Sequence, residues 1–310
     1  LVQGGLAMAG KRVARALASR GASPEEVAAA LRVLGLADAS GPGVRLASVG
    51  KLPAREEEKT SANDDKVLGE LECGMFRGAA ARANYLALDR LDIAFAAKEL
   101  CRRMSVPRAS DLVALRRLAQ YLVGTPRVVQ RLPWQRPAGL KLFSDTDFAG
   151  CPRTRRSTSS GVTMRGLHLI KHYSRTQKVV TLSSAEAELG GVVSGASEGL
   201  GTQAIARDLG IVADLLLLAD SSAAIGICRR NGIGRVRHLA VGQLWVQERI
   251  RDKTLRLDKV AGEANPADIG TKHLGAEVMR RCMAFGRLGA PRGPQLSRPG
   301  AGLREHALPP

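Results

Sequence analysis

The chain is 310 residues long and 45% hydrophobic but only 3% aromatic, so its cores have to be built from Ala, Leu, Val and Ile rather than from large rings. No apolar run is long enough to cross a bilayer, and the five cysteines (Cys73, Cys101, Cys151, Cys228, Cys282) show neither a CxxC pair nor zinc spacing, which argues against a membrane span, a disulfide framework and a zinc centre. A net charge of +18 points instead to a polyanionic partner, of which nucleic acid is the commonest.

The chain begins at Leu1, which reads as a piece of a longer reading frame or a processed product, and its thiols read as those of an intracellular protein, cytoplasmic or nuclear. Residues 22–36 carry the first helix signal: Ser23 as cap, Pro24 in the first turn, Glu25 and Glu26 against the dipole, and Val27, Leu31 and Leu34 on one face. Residues 38–66 turn to Gly, Pro, Ser and charge, a linker or long surface loop. Residues 72–124 are helical again, with Ala81, Tyr85 and Leu88 on one face and further helices over 92–104 and 111–123. Gly124-Thr125-Pro126 closes that segment, and Pro133 and Pro137 mark a junction.

Beyond the junction the pattern changes to strands. Residues 140–143 form a short apolar run delivering Ser144-Asp145, residues 161–171 alternate like a strand or hairpin, and residues 179–182 read as a third, β-branched strand. Ser183 and Ser184 cap a long helix over 185–209, a buried-type strand over 215–219 ends on Asp220, and helices over 222–229 and 236–251 follow. A strand over 255–260 and a last helix over 266–285 complete the order β-β-β-α-β-α-α-β-α, and the Gly-, Pro- and Arg-rich tail past Gly286 reads as disordered. The domain boundaries expected are therefore 1–66, 67–137, 138–285 and 286–310.

Four carboxylates fall at converging places in this order. Asp145 and Asp220 end the first and fourth strands, Glu188 lies in the first turn of the long helix, and Asp268 lies in the first turn of the last one. Uncompensated, such a group repels itself and raises its own pKa values, and a hard divalent cation with oxygen ligands is the usual remedy. Two Mg²⁺ ions about 4 Å apart would activate water and stabilise a leaving oxygen, which is phosphodiester chemistry. Each acid alone is commonly a cap or a surface charge; their conjunction carries the inference.

At these residues the sequence resembles the ribonuclease H domain of copia-type LTR retrotransposon polyproteins. The matching stretches are Phe143-Ser144-Asp145-Thr146-Asp147-Phe148-Ala149-Gly150-Cys151, the basic hairpin segment Thr154-Arg155-Arg156-Ser157-Thr158-Ser159-Ser160-Gly161, the run from Gln177 through Ser183-Ser184-Ala185-Glu186-Ala187-Glu188, Ala219-Asp220-Ser221-Ser222, and Asn265-Pro266-Ala267-Asp268-Ile269-Gly270-Thr271-Lys272-His273. Upstream, Arg82 to Ala87, Arg90 to Ala96 and Leu115 to Leu122 resemble the connection between polymerase and ribonuclease in the same polyproteins, and residues 22–45 resemble a diverged remnant of the polymerase's end, so the resemblance spans about residues 25–285. It implies a five-stranded, mixed-sheet α/β fold of the ribonuclease H type preceded by a small helical segment, and a metal-dependent endonuclease cutting the RNA strand of RNA–DNA hybrids. The catalytic and metal-binding set implied is Asp145, Glu188, Asp220 and Asp268, with Asp145 preferred to Asp147 and Glu188 to Glu186 by the family's alignment. The cofactor implied is Mg²⁺ as two ions, with Mn²⁺ as a substitute, and the partners are the hybrid and a reverse-transcriptase domain of the same polyprotein.

Arg153, Arg155 and Arg156, on the turn after the first strand, are expected to touch phosphates, with Ser184, Arg237 and His238 as further contacts and Arg235 beside them. Gly190-Gly191 inside the long helix costs about 1 kcal/mol per glycine against Ala and reads as the mark of a decaying copy. An integrase or transposase of the same fold is disfavoured because the glutamate comes second and an aspartate last; a catalytically inert nucleic-acid-binding relic is the alternative that the residues leave open.

Overall fold

The computed structural model describes residues 65–136, 139–232, 234, 242 and 244–289. The helix expected over 22–36, nearly all of the linker, Arg235, Arg237, His238 and residues 290–310 lie outside the described residues.

The helical segment comes first. Helix α1 (Glu70–Leu86) starts where Glu72 accepts a hydrogen bond from the Gly69 N–H at 3.2 Å, and it buries Phe76, Ala80 and Ala83 at helical spacing. A short 3-10 turn (Leu91–Ile93) leads into α2 (Ala94–Cys101), and α3 (Ala109–Gly124) begins with Asp111 accepting from the Arg108 N–H at 2.9 Å. Phe76, Ala80, Ala97, Leu100, Leu115 and Leu118 form a core among these helices, dominated by small and aliphatic side chains as the composition requires. The isolated helices would be marginal; mutual burial of these faces holds them.

Strand β1 (Val129–Gln130) follows, then β2 (Leu140–Thr146), β3 (Thr158–Arg165) and β4 (His168–Thr176). Helix α4 (Ser184–Asp208), β5 (Leu215–Ala219), α5 (Ser222–Arg229), α6 (Trp245–Arg251) and β6 (Arg256–Lys259) come next. A 3-10 helix (Pro266–Gly270), α7 (Ala276–Phe285) and β7 (Leu288–Gly289) end the described chain. The main sheet has the order β4-β3-β2-β5-β6, with β4, β3 and β2 antiparallel and β2, β5 and β6 parallel. This is the ribonuclease H-like topology that the sequence reading expected: a meander placing its first strand centrally, then two parallel strands added through helical crossovers.

The central strand reads as alternation. Leu140 and Leu142 pack with Leu189, Val192, Ala196, Leu215 and Leu217 under α4, whereas Phe143 packs on the opposite face with Val162, Met164, Ile269, Cys282, Met283 and Leu91 of the helical segment. Helix α4 lies close on the sheet because glycines line its inner face. A Cβ on Gly191 would stand 2.1 Å from Thr146 Oγ1, one on Gly195 2.9 Å from Leu142 Cδ2, and one on Gly199 2.9 Å from Leu215 Cδ2. Gly191 is thus a packing device and not a mark of decay.

Residues 161–171 take the hairpin form of the expected alternatives, the chain turning at Gly166 (φ +56) between β3 and β4, and three expectations are corrected. Residues 179–182 are not a strand; Val179, Val180 and Leu182 are exposed, since the sheet's third place is already taken by His168–Thr176. The last helix is broken in two at residues 271–275, where the Thr271 side chain turns away to Asp145. The stretch just past Gly286 is ordered: Leu288 and Gly289 pair antiparallel with Gln130 and Val129, and Leu288 is buried.

Candidate active site

The first carboxylate sits inside β2, one residue before its end, on the face opposite α4. Asp145 is 6% exposed and pairs in register with Ser160. Asp220 follows the last residue of β5, which runs parallel beside β2, so two neighbouring strands deliver both aspartates to one edge. Glu188 lies on the first turn and a half of α4, whose start is fixed by Ser183 Oγ accepting from the Glu186 N–H at 3.3 Å and by Glu186 accepting from the Leu182 N–H at 2.9 Å. Glu186 is therefore occupied in capping, and Glu188, two residues on, is the one that reaches the aspartates. One oxygen each of Asp145, Glu188 and Asp220 lie within 4.8 Å of one another.

Asp268 stands beside this group and is not one of its three members. It forms an ion pair with Lys272, one helical turn on, at 2.9 Å. Its charge still acts on the site: burial first, then Asp268 and Asp220, raise the Asp145 carboxyl to about 7, against the pull of the Thr271 hydrogen bond. Burial, followed by the charges of Asp145, Asp220 and Asp268, raises Glu188 to about 8. Burial works against the Lys272 ammonium, but Asp268 with Asp145 and Asp220 more than offsets it, and its pKa is raised. A cluster of oxygen donors that resist ionisation together is one that a divalent cation would relieve, so the residues fit a hard metal ion.

The loop from Asn265 to Lys272 holds the site together. Asn265, 2% exposed, donates to the Ser144 carbonyl at 2.9 Å and accepts from the Ala267 N–H at 3.2 Å. Thr271 Oγ1 donates to Asp145 Oδ2 at 2.5 Å. Gly270 has no room for a Cβ, which would meet Ser160 Oγ at 2.2 Å. A buried Asn directly before Pro, with Thr six residues on, is the signal by which these positioning groups could have been found.

The second aspartate of the first motif does different work. Asp147 closes the β2–β3 connection by accepting from the Thr158 N–H, and a Cβ on Gly150 would collide with its Oδ2. Ala149 adopts φ 53, and its N–H donates to Ser157 Oγ at 3.0 Å. Arg153, Arg155 and Arg156 are exposed on this loop, which leaves the strand that carries Asp145. Ser184 is exposed at the start of α4; the capping hydroxyl is that of Ser183. The helical segment grips the same loop. Lys98, 9% exposed, donates to Thr158 Oγ1 at 2.8 Å and to Glu99 at 2.5 Å, with the Phe95 ring 4.4 Å below it. Arg102 bonds Glu99 at 2.8 Å and the Cys151 thiol. Burial opposes ionisation of Cys151, but the Thr154 and Arg102 donors bring it down to about 7.

A mixed five-stranded sheet of this order, with carboxylates from β2, α4 and β5 meeting at one edge, defines a ribonuclease H-like protein with an acidic, metal-compatible centre. Relatives of this chain include retrovirus-related Pol polyproteins of copia-type transposons. It is 31% identical over 202 residues to the retrovirus-related Pol polyprotein from transposon RE1 of Arabidopsis thaliana, covering 64% of this chain and 14% of that one. It is 28% identical over 185 residues to the Pol polyprotein from transposon TNT 1-94 of Nicotiana tabacum, covering 59% and 14%. An uncharacterized mitochondrial protein of Arabidopsis thaliana is 36% identical over 77 residues, 24% of this chain and 68% of that protein. The chain thus spans 14% of the length of the Pol polyproteins it matches. No family model matches. Among solved structures, RNase H1 from Halobacterium salinarum aligns with TM-score 0.31 at 13% identity, covering 43% of this chain and 95% of that one. The N-terminal RNase H domain of a Mycobacterium tuberculosis protein aligns with TM-score 0.30 at 16% identity, covering 47% and 97%.

Proposed function

We propose that this chain is a divalent-metal-dependent endonuclease that hydrolyses the RNA strand of RNA–DNA hybrids, as part of a retrotransposon polyprotein with a reverse-transcriptase domain. The observation that carries this reading is the meeting of Asp145, Glu188 and Asp220 within 4.8 Å from three separate elements. These three side chains would hold the cation. All donors are carboxylate oxygens, which suits Mg²⁺, with Mn²⁺ able to substitute. The metal, when bound, supplies Lewis-acid polarisation of phosphate and a lowered pKa for bound water.

The chain's own residues do the remaining work. Thr271 fixes the orientation of the Asp145 carboxylate through its hydroxyl, and Asn265 fixes the strand one residue earlier. Lys272 holds Asp268 in place beside the three acids through their ion pair. Arg153, Arg155 and Arg156 track the backbone phosphates beyond the cut, which suits a substrate recognised by shape and charge more than by sequence.

The test is cleavage of end-labelled RNA–DNA hybrid, DNA duplex and RNA duplex with Mg²⁺, Mn²⁺ or chelator. Cutting confined to the RNA of the hybrid, dependent on metal and lost in Asp145→Asn and Asp220→Asn, is expected. Salt-sensitive binding without cutting under any metal would replace this reading with that of an inert binding relic.

A further inference from the structure

The segment between the helical part and the central strand carries a second surface with the chemistry of nucleic acid. From Thr125 to Ser144 the chain has no acid and four cations, Arg127, Arg131, Arg136 and Lys141. In its middle stands Trp134, 86% exposed, with Leu132 62% exposed two residues before. Burying an indole ordinarily contributes more than burying any other side chain, so an indole left in water wants a partner.

The backbone that presents it is tied down on both sides. Gln130 Nε2 donates to the Leu169 carbonyl at 2.7 Å, and His168 Nε2 bonds the Pro133 carbonyl at 2.7 Å. Gln135 Nε2 donates to the Arg165 carbonyl at 2.8 Å, and its Oε1 accepts from the Leu167 N–H at 2.7 Å. Gln135 turned inward leaves its neighbours Trp134 and Arg136 outward, as extended backbone alternates. The backbone that carries the indole is thus held, and arginines stand three residues before it and two after it, which differs from an apolar patch awaiting another apolar patch. An exposed planar ring in an acid-free segment that carries arginines on both sides of it has the chemistry on which unpaired bases stack while phosphates pair with the cations.

We infer that Trp134, with Arg131 and Arg136, is a stacking site for single-stranded nucleic acid. It lies toward the β3–β4 turn, at the end of the sheet opposite the carboxylates. Leu140, at the near end of β2, and Asp145 are five residues apart, about 17 Å along the strand. On the proposed function, on which this step rests, a strand leaving a duplex engaged at Asp145 can reach the indole over that distance, and because an aromatic ring stacks on the face of an unpaired base the ligand is the single-stranded overhang and not the duplex.

The site does not depend on cleavage, so it can be tested separately from the proposed activity. The full chain is titrated with fluorescein-labelled oligo(dT), oligo(rU) and a blunt RNA–DNA hybrid at low salt, reading anisotropy and tryptophan emission. Trp134→Ala should weaken binding of both single strands by about fivefold or more and leave the blunt hybrid unchanged. Trp134→Phe, which keeps a ring, should restore most of the affinity, and Arg131→Ala or Arg136→Ala should each lower the salt slope by about one. The difference between the oligo(dT) and oligo(rU) arms tells DNA from RNA. Unchanged single-strand affinity in Trp134→Ala would overturn the inference and leave the indole to a protein partner, and equal loss on the blunt hybrid would overturn it as a duplex contact. Single-strand binding in a chain that cuts nothing would count against the nuclease alone.

Discussion

Replacing Gly191 by Ala sets two magnitudes against each other. In an open helix the change is worth about 1 kcal/mol of stability through helix propensity. At this position the new methyl would stand 2.1 Å from Thr146 Oγ1 and 3.2 Å from Ser144 Oγ, on a central strand hydrogen-bonded on both sides. The strand cannot retreat without disturbing β3 and β5, so the overpacking cost lies toward the upper end of about 1–3 kcal/mol. The net is a loss of roughly 1–2 kcal/mol, or about 3–8 °C in Tm for a domain of this size. Gly201, on the same helix with nothing within 4 Å of a Cβ, supplies the control: Gly201→Ala should gain up to about 1 kcal/mol. Urea unfolding followed by far-UV circular dichroism measures both. Because the clash separates the helix of Glu188 from the strand of Asp145, Gly191→Ala should also lose cleavage, while Gly201→Ala keeps it. If Gly191→Ala unfolds at the same urea concentration as the parent, or Gly201→Ala is as damaging, close approach is not what these glycines provide.

The remaining predictions concern the acidic cluster and its support. Asp145 and Glu188 have folded pKa values of about 7 and 8, above the roughly 4 of the unfolded chain, so the folded state binds more protons. Stability of the metal-free protein should therefore be unaffected below about pH 4, fall as pH rises through about 4 to 8, and be lowest above that. Mg²⁺ should raise Tm more at pH 8 than at pH 6, and calorimetry finding the reverse would contradict the assignment. Asp145→Asn should abolish cleavage yet flatten this pH dependence, measured by urea titrations at several pH values. Asn265→Ala removes two hydrogen bonds at a site 2% exposed, orphaning the Ser144 carbonyl, and should cost about 2–3 kcal/mol. Thr271→Val strips the donor that opposes the rise of Asp145, so the acidic limb of the pH–rate profile should move to higher pH, whereas a purely structural role would leave that limb in place.

Much of this arrangement was legible because strand ends and helix starts are local features. The apolar runs at 140–143 and 215–219 located Asp145 and Asp220, and the serine cap located Glu188, without any knowledge of the sheet. Elements whose identity depends on partners were not legible. The run at 179–182 has β-branched residues but no neighbour to pair with, while the edge strand His168–Thr176 mixes Leu169, Ile170 and Tyr173 with polar residues and carries no clean alternation. The last helix breaks between Gly270 and Gly275, a pair of glycines visible in the sequence; what was not visible is that Thr271 between them bonds a residue 126 positions away. Asp268 has the type and place of a ligand and stands beside the three acids, and its i,i+4 relation to Lys272, visible in the sequence, is the ion pair that it makes.

Leu91, in the turn that opens α2, is 1% exposed among Phe143, Val162, Met164 and Ile269, although it comes from the helical segment. Together with Lys98 on Thr158 and β1 on β7, it means that the seam between the two parts is sealed by shared side chains. A fragment excised at residue 139 would carry an open hole beneath its central strand and a β2–β3 loop stripped of its clasp. Selection on either part is then selection on both, and insertions that separated them would be eliminated for reasons of folding before any question of chemistry arose.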